Sequence, residues 1–260
     1  MKQTGDPHAP LAGATIVITR PSAMSSAPAR AVRKLGGRPL SLPGLSLRAL
    51  RNRETDAAKR ERFDAWIFTS PAAVRFGAAL LPARRTRTRI DAFAVGEGTA
   101  RALARQGIRA RVPSERADSE GLLAIAGLAK VRGRRIALVG APGGRNRIAP
   151  ALRRRGAVVV TLDVYERVPP RLTRRHFDAL DAAKDPLVVL VSSGESLANL
   201  VALVPAKTLA HLRTQIIVVS SARLVAIARR HGFGEIVLAR SASPRDLVAA
   251  AAVALGRHRL

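Results

Sequence analysis

The sequence predicts an α/β protein of two similar lobes, each a parallel β-sheet flanked by helices, with an active-site cleft between them. Two observations carry this. Short β-branched apolar runs alternate with helical stretches. The chain of 260 residues also matches itself in degenerate tandem.

The runs come in order as Thr15-Ile-Val-Ile-Thr19, Trp66-Ile-Phe68, Ala92-Phe-Ala-Val95, Ile136-Ala-Leu-Val139 and Val158-Val-Val-Thr-Leu162. Leu187-Val-Val-Leu-Val191, Ile216-Ile-Val-Val219 and Ile236-Val-Leu238 follow. Uninterrupted apolar strands belong to sheets covered on both faces, as βα units build them. Between them, Ala100, Leu103, Ala104 and Gly107, and later Leu224, Ile227, Ala228 and His231, keep a helical period.

Ile16-Val-Ile falls on Ile136-Ala-Leu, Leu35-Gly36 on Arg155-Gly156, and Leu42 on Leu162, all 120 residues apart. Ile67-Phe-Thr-Ser70 falls on Leu190-Val-Ser-Ser193 at 123, and Gly107 on Gly232 at 125. Ser119 and Leu123 fall on Ser243 and Leu247 at 124. Small drifts of this kind are what loop insertions leave behind. Leu40 to Leu47 and Leu162 to Val168 occupy corresponding places in the halves and read as connections. The basic loop Pro82 to Arg89 and the first dozen residues are the expected mobile parts.

Composition narrows the chemistry. At 47% hydrophobic and 24% charged the chain is globular. With no cysteine, thiolate zinc sites, iron–sulfur clusters, disulfides and a cysteine nucleophile are excluded. The five histidines form no metal spacing. No apolar run spans a bilayer, and Met1 to Pro10 lacks the apolar core of a signal peptide, so a cytoplasmic protein is expected. The net charge of +27 favours anionic partners, although the abundance of Ala, Arg, Gly and Pro points to compositional bias for much of it.

In parallel α/β sheets ligands lie beyond the carboxyl ends of the strands, which selects a few turns. In Phe68-Thr69-Ser70-Pro71, Ser70 can cap a helix whose first position is Pro71. Ser192-Ser193-Gly194 repeats the feature. Val95-Gly96-Glu97-Gly98-Thr99 is a strand-to-helix turn without a dinucleotide fingerprint, and Gly140 to Arg145 is Gly-rich without the Lys-Ser/Thr of a phosphate loop. Ser220-Ser221-Ala222-Arg223 and Thr19-Arg20-Pro21 complete the set. Helix N-termini and free N–H groups in such turns favour carboxylates. Tyr165, the one tyrosine, reads from its position alone as a packing residue with a hydrogen-bonded hydroxyl. Glu97, Glu195 and Asp118 read as solvated surface.

Thr19-Arg-Pro, Trp66-Ile-Phe-Thr-Ser-Pro-Ala-Ala-Val, Val95-Gly-Glu-Gly-Thr-Ala, Gly140 through Arg145 and Val164-Tyr-Glu together resemble the uroporphyrinogen-III synthase family, in order and over nearly the whole chain. The resemblance implies lobes joined by a two-stranded connector and not sequential: residues 1–44 with 167–260, and residues 45–166. It implies a cyclising lyase of haem biosynthesis. The substrate is hydroxymethylbilane, a linear tetrapyrrole bearing an acetate and a propionate on each ring. It closes to uroporphyrinogen III through a spiro intermediate, with ring D inverted and water released. No cofactor and no metal take part.

By the same resemblance Tyr165 assists the leaving hydroxyl as a general acid and Thr99 places substrate. Thr19, Arg20, Thr69, Ser70, Pro71, Gly96, Gly140, Arg145, Ser192, Ser193, Ser221 and Arg223 bind its carboxylates. A phenol is a weak acid at neutral pH, so Tyr165→Phe is expected to cause partial loss. The family often carries a Gly-x-Thr-Thr-Ala-like turn in its later half, where this chain has Ser220 to Leu224. The implied protein is a monomer with no specific nucleic acid and no membrane among its partners. The charge suggests transient contact with the upstream bilane-forming enzyme. The rival readings are a basic nucleic-acid binder and a two-lobed small-molecule-binding protein without catalysis. Against the first, aromatics are 3% of the chain, too few for base-stacking platforms.

Overall fold

The computed structural model describes residues 9–81, 91–116, 118–143 and 146–257. The expected mobile loop Pro82 to Arg89 lies outside these, as do Met1 to His8. The rest of the first dozen is anchored: Leu11 is fully buried, and its N–H donates to the Leu35 carbonyl at 2.8 Å.

The strands in chain order are β1 (Thr15–Ile18), β2 (Arg38–Ser41), β3 (Ser46–Ala49), β4 (Ala65–Phe68), β5 (Ala92–Ala94) and β6 (Ala110–Arg111). They continue as β7 (Arg135–Gly140), β8 (Val158–Asp163), β9 (Tyr165–Val168), β10 (Leu187–Val191), β11 (Ile216–Val219) and β12 (Glu235–Leu238). The helices are α1 (Ser26–Lys34), α2 (Arg53–Ala58), α3 (Pro71–Gly77), α4 (Glu97–Ala104), α5 (Ser119–Leu123) and α6 (Ile148–Arg154). After them come α7 (Arg174–Asp181), α8 (Gly194–Leu203), α9 (Ala206–Thr214), α10 (Ala222–Arg230) and α11 (Pro244–Arg257).

The chain forms two compact units, residues 1–46 with 168–260, and residues 47–167. The first unit holds the parallel sheet β12-β11-β10-β1-β2, the second the parallel sheet β6-β5-β4-β7-β8. The two orders are one topology with the chain entering at different points. β10, β11 and β12 correspond to β4, β5 and β6, and β1 and β2 to β7 and β8. Pairing fixes the correspondence residue by residue. Ile18 opposes Leu190 in one sheet, and Leu138 opposes Ile67 in the other. The repeat spacings of 120 and 123 therefore describe the same ladder twice. Gly36 and Gly156, just past α1 and α6, both take a positive φ, 81° and 85°, that L side chains rarely adopt. For the last helices the caps shift the match by one residue: Asp118 caps α5 and the Ser243 hydroxyl accepts from Asp246 N–H at the start of α11.

Alternation along each strand splits its side chains between two cores. In β10, Leu187, Val189 and Val191 enter the core under α8 and α10, while Val188 and Leu190 enter the core under α1 and α11. In β4, Trp66 and Phe68 face Val74 and Leu103 of α3 and α4, while Ala65 and Ile67 face Leu122 and Leu152 of α5 and α6. This double cover is why the runs carry no polar residue at alternate positions. β3 and β9 form a separate two-stranded sheet, flanked by Leu50 N–H donating to the Val164 carbonyl at 3.0 Å. Arg48 pairs with Glu166 there at 2.6 Å. The two strands overlap in part the expected connections Leu40 to Leu47 and Leu162 to Val168, of which Leu40 and Ser41 belong to β2 and Leu162 and Asp163 to β8.

Candidate functional site

In the second unit the turns at the carboxyl ends of β4 and β7 lie beside Tyr165. Phe68 is fully buried, and extended backbone carries the chain out at Ser70. The Ser70 hydroxyl accepts from Ala73 N–H at 3.0 Å and lies 3.1 Å from the Tyr165 hydroxyl. Pro71 opens α3 at a position where an N–H would have no helical acceptor. The Tyr165 ring stacks on Phe76 of the same helix, with centroids 5.5 Å apart, and is 6% exposed. Thr69 donates its hydroxyl to the Val139 carbonyl at 3.2 Å. A Cβ on Gly140 would lie 2.9 Å from Thr69 Oγ1, so a larger residue there would have to turn the Thr69 hydroxyl aside.

Gly96 caps α4, and Thr99 sits in its first turn, 4% exposed. A Cβ on Gly98 would stand 3.7 Å from Pro71 Cγ, which puts the starts of α3 and α4 side by side. The sequence-predicted residues Thr69, Ser70, Pro71, Gly96, Thr99, Gly140 and Tyr165 thus lie on neighbouring turns. Arg145 lies outside the described residues.

The first unit repeats the arrangement. The Ser193 hydroxyl accepts from Ser196 N–H at 3.4 Å and caps α8, and Ser221 caps α10 by accepting from Leu224 N–H at 3.4 Å. Gly194 stands where Pro71 does, and a Cβ on it would lie 3.6 Å from Arg223 Nη2. Ser192 follows β10 directly, beside them. The Thr19 hydroxyl donates to the Leu190 carbonyl at 2.7 Å, and the Thr19 carbonyl accepts from both Ser196 Oγ and Gly44 N–H. Arg20 follows directly. One of its guanidinium nitrogens donates to the Ala242 carbonyl, while its buried Nε has no partner among the described residues. Burial holds the Arg20 pKa below the usual guanidinium value, because desolvation penalises the charged form.

Three features escaped sequence reasoning. Gly44, Ser196 and Asn199 clamp the Thr19 turn, with Asn199 Nδ2 donating to the Gly44 carbonyl at 2.9 Å. No local pattern marks that contact. Asp118, read as solvated surface, accepts from Gly121 N–H at 2.9 Å, and this hydrogen bond leads the causes that hold its carboxyl below the usual range. Its place just before Ser119-Glu120 was the available signal. Asp163, at the end of β8, has a raised pKa, first from burial and then from the Glu54 charge.

A raised value means that the folded chain holds this proton more tightly than the unfolded one. That contribution favours folding below the carboxylate range and is lost as pH rises through the raised value. Asp163→Asn is therefore expected to raise the melting temperature at pH 7 and to leave it nearly unchanged at pH 3. Thermal unfolding of both proteins at the two pH values checks this.

The uroporphyrinogen-III synthase HemD family model matches residues 26–249. This chain belongs to the uroporphyrinogen-III synthase family. It is 32% identical over 249 residues to the uroporphyrinogen-III synthase of Salmonella typhimurium, covering 91% of this chain and 99% of that one. The Escherichia coli uroporphyrinogen-III synthase is 33% identical over 168 residues, 62% of this chain and 66% of that protein. Among solved structures, uroporphyrinogen-III synthetase from Helicobacter pylori superposes with a TM-score of 0.61 at 14% identity, over 94% of this chain and 99% of the other. A uroporphyrinogen III synthase variant from Thermus thermophilus gives 0.55 at 18%, with the same coverage. These likenesses show the fold. The family comprises cyclising lyases of haem biosynthesis whose substrate is a polycarboxylate bilane. Among the described residues no helix is long and apolar enough to cross a membrane.

Proposed function

We propose that this chain closes hydroxymethylbilane to uroporphyrinogen III, and that Tyr165 assists departure of the terminal hydroxyl. The observation that carries the assignment to Tyr165 is its hydrogen bond to Ser70. Ser70 Oγ already accepts from Ala73 N–H and has one hydrogen to give. Given to the phenol oxygen, it leaves the Tyr165 hydrogen free for the substrate and steadies the phenolate as it develops. The C–O bond breaks, water leaves with that proton, and the remaining azafulvene cation is attacked by a ring D carbon to give the spiro intermediate. Fragmentation and reclosure invert ring D. The proton lost on reclosure restores the phenol.

The uncatalysed bilane closes to the uninverted type I isomer, so the larger task is geometric. Its acetates and propionates are suited to the N–H groups that open α4, α8 and α10, and to the hydroxyls of Ser192, Ser193 and Ser221, while Thr69 and Ser70, whose hydrogens go to Val139 and Tyr165, hold the turn before α3. Pro71, Gly96, Gly140 and Thr19 shape these turns, and Thr99 places substrate through the first turn of α4. Arg20, Arg223 and Arg145 supply cations.

Tyr165→Phe keeps the stack on Phe76 and removes the hydroxyl. The rate of type III formation is expected to fall between about 10-fold and 100-fold, with the product still type III and stability within about 1 kcal/mol of wild type. An unchanged rate, or a loss explained by unfolding, would assign Tyr165 to packing alone.

A further inference from the structure

Each five-stranded sheet has two edges, and open edges invite pairing with another chain. Three of the four are interrupted or cut short. Arg38 and Leu42 donate toward β1, so Pro39 faces outward from β2 with no N–H to offer. In β8, Val158 donates toward β7, which turns Val159 and Asp163 outward. Arg153 donates to the Val159 carbonyl at 3.0 Å and Asn52 to the Asp163 carbonyl at 3.2 Å. β6 is two residues long.

β12 differs. Ala239 N–H donates to the Val219 carbonyl, so by alternation Ile236 and Leu238 turn their N–H and C=O groups to the open side. Among the described residues nothing beyond the sheet pairs with those groups. Beside them runs a groove of about 680 Å³ between β12 and α11, floored by Ile236, Leu238, Ala250 and Val253. Leu238 and Val253, 53% and 57% exposed, are the two most exposed large apolar side chains described. The duplicate unit lacks such a groove wall, because its corresponding helix α5 has five residues against fourteen in α11. Arg240, Arg245 and Arg257 against Glu235 and Asp246 leave the groove lining with an excess of one positive charge, Arg240 being engaged with Asp246.

We propose that this groove docks an extended acidic segment of another protein, which adds to β12 as a sixth strand. Alternate apolar side chains of the segment would cover Leu238 and Val253, and acidic ones would meet Arg245 and Arg257. A second copy of this chain is disfavoured as the occupant, since each carries +27.

The test uses the full chain and a fluorescent peptide alternating Glu and Val, with a Lys-for-Glu analogue as control, followed by anisotropy at low salt. The acidic peptide should bind and the Lys analogue should not. Leu238→Glu and Val253→Glu, both on exposed side chains, should each weaken binding by about tenfold or more, while Val158→Glu on the β8 edge should leave it unchanged. Hydrogen exchange should show the Ile236 and Leu238 amides gaining protection on binding. The proposal is overturned if the acidic peptide does not bind, if the Lys analogue binds as well, or if the groove variants bind like wild type. A bound peptide that becomes helical, or a dimer of the free chain that Leu238→Glu abolishes, would equally overturn it.

Discussion

Replacing Gly44 with alanine is expected to lower the stability of the chain by about 3 kcal/mol. A Cβ there would sit 2.1 Å from Ser196 Oγ and 2.5 Å from the Ser196 carbonyl oxygen. The hydroxyl could rotate away, but the carbonyl belongs to the first turn of α8 and cannot move without the helix. Gly44 N–H and Ser196 Oγ both bond the Thr19 carbonyl, so a displaced α8 loosens the turn that sets Arg20. Activity should fall together with stability. Gly98→Ala is the control: its Cβ would meet Pro71 Cγ at 3.7 Å, an ordinary contact, and stability should change by less than about 1 kcal/mol. Urea unfolding of the three proteins separates a collision at Gly44 from the general effect of exchanging glycine for alanine.

Phe68→Ala should cost about 3–5 kcal/mol, the range for emptying a buried aromatic site. Phe68 is fully buried, stacks on Trp66 with centroids 6.4 Å apart, and packs in the core that includes Ala73, Val74 and Tyr165. The cavity would open directly beneath Thr69 and Ser70. The loss of type III product should therefore exceed what the unfolded fraction accounts for, because the cap on α3 and the partner of Tyr165 lose their support. Denaturant midpoints read beside initial rates distinguish the two contributions. Phe68→Leu, which refills most of the volume, should recover most of both.

Much of the sheet was legible because it is covered on both faces. Leu187 to Val191 and Ile216 to Val219 have their observed bounds, since every position of those strands is buried. Of the four edge strands, β8 and β12 were read from their apolar runs, and β2 and β6 were not. β2 reads Arg-Pro-Leu-Ser, and β6 is two residues held through backbone and charge, so neither offers an apolar run. The repeat was legible where a backbone conformation is demanding, as at Gly107 and Gly232 with φ of 73° and 83°.

The capping serines were legible for the same reason: a cap needs a small oxygen-bearing side chain just before the helix. Ser70, Ser193 and Ser221 all fill that role. The Tyr165–Ser70 bond was not, because it joins residues 95 positions apart and depends on how β9 follows β8. The burial of Arg20 escaped for a similar reason: its environment comes from Ala242, distant in the chain.

The isomer formed distinguishes a working synthase from a fold kept for another task. Freshly generated hydroxymethylbilane is incubated with the chain, the products are oxidised, and types I and III are separated by chromatography. The account predicts predominantly type III, reverting to type I when the protein is boiled. Type I alone, from protein verified as folded, would contradict it.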